Sequence, residues 1–437
     1  MDGNGLSRRR LIKITAGGSV VALAGCLGGN GEDDGNGGED DNVEEVELGE
    51  GDITLEFSGW GEGVERQAVE DMLESFAEQN DEVGVQFQHV PADFEDRLRT
   101  QFGAGEEPDV FYMPMDYVGE FEEVLVDLEP ELDNELLNDL DEPVVDAATL
   151  PEGVHFVPKD FQYNALVHNT EMMANAGYDE MPENWDEFRE MLEAIDEEGE
   201  VEYPLVEWNI DGHNSLAYPF MHANSGQVMN GDNTECVINS SENVEALEFL
   251  QGLREDGLMG LGSEVASDAE HAMIGEQQTA MLSGGGWIFA ELKNDYEEID
   301  EVTDIAGMPI PEGGEQTVAI SCVGYAVSEN TEHQDEAVDL VEYLMGEGIF
   351  PWLETGIALS IRESHREEVE LYEEDERYER WFEMGEFENV IALQYGPNTS
   401  EIVNAIYPQF EGVYQGEVEP ADALATIEEE VNNNILG

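Results

Sequence analysis

The chain has 437 residues, of which 105 are acidic and 15 are basic, so its formal net charge is -90. This balance excludes nucleic acid as a partner, because no basic patch is present to neutralise phosphates. Hydrophobic residues make up 41% of the sequence, which excludes a disordered acidic chain, and a charge this large is screened only in concentrated salt, as in proteins of halophiles.

The N-terminus carries an export pattern. Arginines at positions 8–10 precede an apolar run over residues 14–24, which is shorter than the roughly 20 residues of a membrane span. The paired arginines resemble a twin-arginine signal, and residues 23–26 (LAGC) resemble the lipobox of exported lipoproteins. We therefore predict a signal peptide over residues 1–26, lipidation at Cys26 and attachment to the outer face of the membrane. An uncleaved membrane anchor is the alternative.

Residues 27–51 are dominated by Gly, Asn, Asp and Glu. Because so few apolar side chains cannot bury enough surface to fold, we predict a disordered acidic tether. The rest of the chain exceeds one typical domain and suits two.

Strands and helices alternate after residue 51. Alternating apolar and polar residues predict a strand over 53–58, and two further strands are predicted over 83–87 and 109–113. Apolar residues at helical spacing predict helices over 64–77 and 94–102 between them. This order is typical of an α/β domain with mostly parallel strands, whose ligands bind beyond the carboxyl ends of the strands.

The pattern continues to the C-terminus. Strands are predicted over 154–158, 165–168, 205–208, 279–282, 304–309 and 318–327, with a glycine-rich turn over 284–287. Helices are predicted over 185–195, 244–253 and 336–345, and in the tail from residues 400 and 420. Cys236 and Cys322 are expected to be two small buried thiols. Neither CxxC nor HExxH occurs, and we expect no metal and no cofactor.

Six segments match patterns of one family. They are residues 57–60 (FSGW), 107–111 (EPDVF), 181–188 (MPENWDEF), 280–287 (AMLSGGGW), 324–328 (GYAVS) and 416–424 (GEVEPADAL). In this order and spacing they resemble the extracellular solute-binding proteins of ATP-driven (ABC) importers, in the branch that includes maltose- and other sugar-binding proteins.

The resemblance implies a periplasmic-binding-protein-like type II fold, in which a hinge joins two α/β lobes around a ligand cleft. The first lobe is expected to comprise residues 52–160 and about 318–350, and the second 161–317 and about 351–437. The chain is expected to cross between the lobes near residues 158–167, 316–323 and 350–360.

A sugar site needs flat aromatic rings together with carboxylates and amides, because sugars present apolar faces edged with hydroxyls. The predicted ligand-binding residues are Trp60, Glu62, Asp116, Asn164, Trp208, Gly286, Trp287, Trp352 and Tyr395, with His213 and Asn214 as further polar candidates. Trp185 and Trp381 are expected to pack in the core. Lys159 stands at the first predicted crossing, where it pairs with a carboxylate in the hinge or reaches the ligand.

The resemblance implies a binding protein, not an enzyme. We expect a monomer that captures a sugar or oligosaccharide and delivers it to an ABC permease and its ATPase subunits. The alternatives are a peptide, polyol or glycerol phosphate as the solute, or an exported hydrolase. Scarce arginines weaken the phosphate alternative, and carboxylate pairs in so acidic a chain are poor evidence for a glycosidase.

Overall fold

The computed structural model describes residues 43–61, 63–141, 144–145, 153–210, 215–267 and 269–437. The predicted signal peptide with Cys26, most of the tether, Glu62, His213 and Asn214 lie outside these residues. In the described part of the chain, no helix has the length and apolar character needed to span a membrane.

Strands and helices alternate along much of the chain. The strands are β1 (Glu44–Leu48), β2 (Ile53–Gly59), β3 (Val83–His89), β4 (Val110–Pro114), β5 (Val157–Pro158), β6 (Asp160–Asn169), β7 (Tyr203–Glu207), β8 (Met259–Leu261), β9 (Thr279–Gly284), β10 (Thr303–Ala306), β11 (Thr317–Ser321), β12 (Val323–Val327), β13 (Leu359–Ser360) and β14 (Asn389–Ala392). The α-helices are α1 (Gly63–Gln79), α2 (Phe94–Ala104), α3 (Val118–Phe121), α4 (Asn134–Leu137), α5 (Thr170–Asn175), α6 (Trp185–Glu198), α7 (Ala217–Ala223), α8 (Ser241–Glu255), α9 (Glu270–Gly275), α10 (Gly286–Asp295), α11 (Glu297–Asp300), α12 (Gln334–Met345), α13 (Phe350–Leu353), α14 (Glu363–Arg366), α15 (Glu370–Glu374), α16 (Glu376–Glu383), α17 (Thr399–Tyr414) and α18 (Pro420–Glu430).

The first lobe is built on a sheet with the strand order β1-β3-β2-β4-β12-β5. Strand β2 runs parallel to both β3 and β4, as the alternating pattern predicts, whereas β12 runs antiparallel to β4. Apolar side chains of the sheet, such as Leu55 and Phe87, pack against the buried face of α1, which includes Met72 and Phe76. Because the parallel strands end together, the segments that follow them meet at one edge of the sheet.

The second lobe is built on a sheet with the order β14-β11-β6-β9-β7-β8, and β10 and β13 also pair with β6. A separate apolar core fills this lobe, and Trp185 packs in it as predicted, stacked on Phe220 and Phe249. Trp381 is likewise fully buried. Cys236 and Cys322 are free and buried, which confirms the prediction of two thiols.

The chain passes from the first sheet to the second at Lys159, between β5 and β6, and returns at Cys322, between β11 and β12. The two connections are joined because the backbone N–H of Lys159 donates to the carbonyl of Val323 over 3.0 Å. A third connection follows α13, after which β13 pairs with the start of β6.

Two of the limits predicted for the first lobe differ from those that the strand pairing and helix packing give. One strand was predicted over 318–327, but it is interrupted at Cys322, and β11 pairs in the second sheet. The returning segment of the first lobe therefore begins at Val323. It also extends past residue 350, because α13 packs on α1. Alternation shows that a segment is extended but not which sheet it joins.

The prediction of a disordered tether as far as residue 51 is wrong for its last part. Glu44–Leu48 forms β1 and pairs antiparallel with β3. Val46 and Leu48 alternate with glutamates and pack against the core of the first lobe. A strand with one acidic face and one apolar face needs few apolar residues, which is why composition alone misses it.

Candidate functional site

A cavity of about 440 Å³ lies where the two lobes meet. The first lobe lines it with segments that follow the parallel strands: Trp60 after β2, residues 90–95 after β3 and residues 115–117 after β4. The second lobe contributes residues from the start of β6, the end of β7, α9 and α10. The floor comes from the crossing segments around Lys159 and Cys322. The cavity therefore occupies the position that the sequence predicts for a ligand.

Five of the predicted ligand-binding residues line this cavity. They are Trp60, Asp116, Trp208, Trp287 and Trp352. Although they come from five separate segments, the fold brings them to one place. Each of them follows a strand or lies near a lobe crossing, which are the positions that carried the prediction.

The other three predicted residues within the described part of the chain do not line the cavity. Asn164 lies inside β6, opposite Ala319, and is buried. Gly286 begins α10, and a Cβ there would lie 2.4 Å from the ring of Trp381, so this glycine allows close core packing. Tyr395 is buried in the core of the second lobe. Of the glycine-rich turn predicted over 284–287, Gly284 ends β9 and Gly286 already begins α10.

Three of the tryptophan rings are held by specific contacts. The ring of Trp60 packs edge-to-face against Phe94 and Tyr112, with centroids 5.0 Å away in both cases. The indole N–H of Trp208 donates to the carbonyl oxygen of Ser283 over 2.6 Å. The indole N–H of Trp287 donates to Oε1 of Glu270 over 2.5 Å. Ring faces fixed in this way are ready to receive the apolar face of a ligand.

Lys159 lies in the floor of the cavity and is only 2% exposed. Its ammonium group forms an ion pair with Asp160 and lies 3.3 Å from the centroid of the Trp352 ring and 5.0 Å from that of Tyr112. Burial lowers the pKa of Lys159, while the charge of Asp160 opposes this shift. The lysine thus pairs with a carboxylate in the hinge, and its ammonium also lies at the bottom of the ligand cavity.

Glu65, in the first turn of α1, lines the cavity beside Lys159. Burial, together with the nearby carboxylates of Asp160, Glu291 and Glu270, raises the pKa of Glu65 to about 7. The charge of Lys159 acts in the opposite direction. Glu65, Asp160 and Glu270 were not predicted as site residues, because each is one of many acidic residues and only the tertiary structure brings them together.

The cavity combines flat aromatic surfaces with hydrogen-bond acceptors. Among the described lining residues, Lys159 is the one basic side chain, and its charge is paired. Such a lining suits a hydroxyl-rich ligand that is neutral or positively charged and disfavours an anion. Among the described residues, no group of three or more His, Cys, Asp or Glu side chains is placed so that it could hold a metal ion.

Comparisons with known proteins agree with this architecture. The family model described as "Bacterial extracellular solute-binding protein" matches residues 52–349, more than half of the chain. An ABC substrate-binding protein from Listeria monocytogenes, solved in complex with cycloalternan, has a TM-score of 0.77 at 20% identity and covers 88% of this chain and 99% of its own. Maltose-bound MalE3 of T. maritima has a TM-score of 0.78 at 20% identity, with 87% and 99% covered. These likenesses confirm the predicted type II, two-lobed α/β fold.

A curated relative is also similar in sequence. The arabinooligosaccharide-binding protein of Halalkalibacterium halodurans is 23% identical over 227 residues, which is 47% of this chain and 48% of the relative. The chain spans about half the length of the curated relatives it matches.

Proposed function

Because the chain belongs to the family of bacterial extracellular solute-binding proteins, we propose that it captures a sugar or oligosaccharide between its lobes and delivers it to the permease of an ABC importer. One observation carries the proposal: Trp60 of the first lobe and Trp208 and Trp287 of the second line the same cavity, together with carboxylates. Rings stack on the apolar faces of sugars, and carboxylates accept hydrogen bonds from hydroxyl groups. The names of the relatives, which bind arabino-oligosaccharides, cycloalternan and maltose, support the same class.

Capture works through the hinge. A sugar that touches Trp60 and Trp287 at once makes its full set of contacts only when the lobes are close together. It therefore shifts the population towards the closed form, which is the form a permease can distinguish from the empty protein. The chemistry ends at binding, and we propose no catalytic step.

The location follows from the N-terminal segment. A lipid on Cys26, added after export by the twin-arginine route, holds the protein at the outer face of the cell membrane. There the protein meets its partners, the permease and the ATPase subunits attached to it, as a monomer. Anchoring keeps the captured sugar close to the transporter.

Other solutes fit the cavity less well. A glycerol phosphate needs cationic donors, and the ammonium of Lys159 is already paired with Asp160. A peptide would place its carboxylate among those that line the cavity. A sugar has neither conflict.

The proposal is tested by titrating the protein with a panel of mono- and oligosaccharides in molar potassium chloride. We expect at least one sugar to change the tryptophan fluorescence and to raise the melting temperature, because a ligand of the native state stabilises it. Replacing a central aromatic contact commonly costs 2 kcal/mol or more, so Trp287→Ala is expected to weaken binding by about thirtyfold.

Tyr178→Ala is the matched control, because Tyr178 is half-buried and does not line the cavity. This variant should keep the affinity of the parent protein. A panel without a single binder would overturn the proposal, and full affinity in Trp287→Ala would overturn the assignment of the site.

A further inference from the structure

The carboxylates of the cavity indicate which kind of sugar it accepts, an inference that rests on the proposed function. Six acidic side chains line the cavity: Glu65, Asp93, Glu95, Asp116, Asp160 and Glu270. The acidic fraction of the lining residues is close to the acidic fraction of the whole chain, so the number of acidic side chains does not by itself indicate a class of ligand. What distinguishes these carboxylates is whether protein covers them and whether a cation is paired with them.

Asp160 is covered but compensated. Asp160 is 2% exposed and forms an ion pair with the ammonium of Lys159. The ring of Trp352 covers the other side of this ammonium. Asp160 therefore holds the ammonium of Lys159, although the charge of Lys159 still acts on Glu65. Lys159 also cannot turn towards another carboxylate without leaving Asp160 buried and unpaired, which is costly.

Glu65 is in a different situation. It is partly buried in the wall of the cavity, and no described residue donates a hydrogen bond to its carboxylate. The charged groups that face it are Lys159, already paired, and the carboxylates of Asp160, Glu291 and Glu270. A partly buried carboxylate without a donor is unfavourable, and a ligand that brings a donor removes that cost. A positively charged donor removes most of it.

The opposite wall supports the same conclusion. Glu270 of the second lobe accepts the indole N–H of Trp287, so its negative charge is held beside the aromatic ring. Protonated nitrogen is attracted both to carboxylates and to the faces of tryptophan rings. A ligand nitrogen in this cavity would have Glu65 on one side and tryptophan faces near it, and the one cation of the described lining, Lys159, is held against Asp160.

We propose that the solute is a basic sugar, an oligosaccharide with a protonated amine that pairs with Glu65 while the tryptophans hold its ring faces. An N-acetylated sugar loses the charge, and a uronic acid reverses it. The cavity therefore ranks sugars of one size and linkage in the order amine, neutral, carboxylate.

Calorimetric titration in molar potassium chloride tests this order. The probes are trimers of glucosamine, galactosamine and mannosamine, each with its N-acetylated form, the corresponding neutral hexose trimer and the uronic acid trimer. We expect the best amine trimer to bind about tenfold more tightly than its N-acetylated and neutral counterparts, since its charge-assisted hydrogen bond is stronger and a covered pair is screened little by salt. The uronic acid trimers should not bind measurably.

Glu65→Gln should reduce the preference for the amine over the neutral trimer to about twofold or less, because a neutral amide accepts hydrogen bonds but does not strengthen them by charge. Glu74→Gln is the control: it removes one charge from the exposed face of the same helix, away from the cavity, and should leave the preference intact. Melting curves of both variants show that they are folded.

The outcomes separate this inference from the proposed function. If neutral trimers bind at least as tightly as amine trimers, or if Glu65→Gln retains the preference, the basic-sugar inference is overturned while sugar binding stands. If no member of the panel binds, both are overturned.

Discussion

Lys159 is the residue at which the two sheets of the molecule meet. Its sequence position fits either the hinge or the ligand, and the structure shows it buried under Trp352 and paired with Asp160. Its backbone N–H also holds the returning connection at Val323. Lys159 thus contacts all three crossings between the lobes, through its backbone at Val323 and through its side chain at Asp160 and Trp352.

Lys159→Met is expected to lower the free energy of unfolding by about 3–5 kcal/mol, because it leaves the carboxylate of Asp160 buried without a counter-charge. The double variant Lys159→Met, Asp160→Asn should recover most of this loss, since it removes both charges together. Urea unfolding at a fixed molar salt concentration measures all three values. A cost below about 1 kcal/mol for the single variant, with no recovery in the double variant, would show that the two charges do not depend on each other.

Individual site residues were predictable where the sequence pattern shows that a strand ends and the chain leaves the sheet. Trp60 and Trp208 each follow a strand, and residues that leave a sheet at its carboxyl edge enter the cleft. Asn164 shares a face of β6 with Asp160 and Gln162 but lies further along the strand and does not line the cavity. Asp160 and Gln162 line the cavity from β6 while Phe161 and Tyr163 lie against another surface pocket. Alternation separates these two faces, but sequence alone does not tell which of them meets the ligand.

Helix α10 connects the lobes as well as lining the site. It begins at Gly286 in the second lobe, and the carboxylate of Glu291 lies beside Gly63 and Val64, at the start of α1 in the first lobe. Gly63 lies at φ +53, and its missing Cβ leaves room for this carboxylate, which would be 3.1 Å away. A carboxylate near the N-terminus of a helix is stabilising. The contact therefore favours the closed arrangement of the lobes.

Glu291→Ala should weaken sugar binding by about two- to fivefold, because the closed form loses roughly 0.3–1 kcal/mol at the N-terminus of α1. The residue does not line the cavity, so the effect should be the same for every sugar that binds. Isothermal titration of two different sugars measures it, with Glu297→Ala, an exposed site on α11, as the control. Unchanged affinity, or a loss for one sugar alone, would show that Glu291 does not act through lobe closure.

The elements of the first lobe were predictable because each has a strong local pattern. The apolar spacing of α1 and the alternation of β2 and β3 appear in the structure within a few residues of the predicted limits. The errors concern elements whose partner is distant in sequence. The change of sheet at Cys322 and the addition of β1 to the edge of the first sheet depend on long-range pairing, which no local window contains.

At the scale of the whole molecule, the few basic side chains are shared among many carboxylates. Arg377 contacts both Asp300 and Asp375. Arg99 likewise contacts both Asp96 and Glu120. With 15 basic and 105 acidic residues in the chain, most carboxylates have no side-chain cation to pair with. Their mutual repulsion acts against both compaction and the approach of the two lobes.

The free energy of unfolding should therefore rise steeply with salt. The Debye length falls from about 10 Å at 0.1 M salt to about 3 Å at 1 M, which confines each carboxylate's field to its nearest neighbours. We expect the melting temperature to climb between dilute buffer and 1 M potassium chloride and then to level off, and the protein to lose its fold in dilute buffer at room temperature. Sucrose at matched osmolality is the control, because it is excluded from the protein surface without screening charge. Equal melting curves in dilute buffer and molar salt would overturn the screening argument. An equal effect of sucrose and salt would assign the stabilisation to surface exclusion, because screening requires ions. The acidic charge of the chain would then need an explanation other than the stability of the fold.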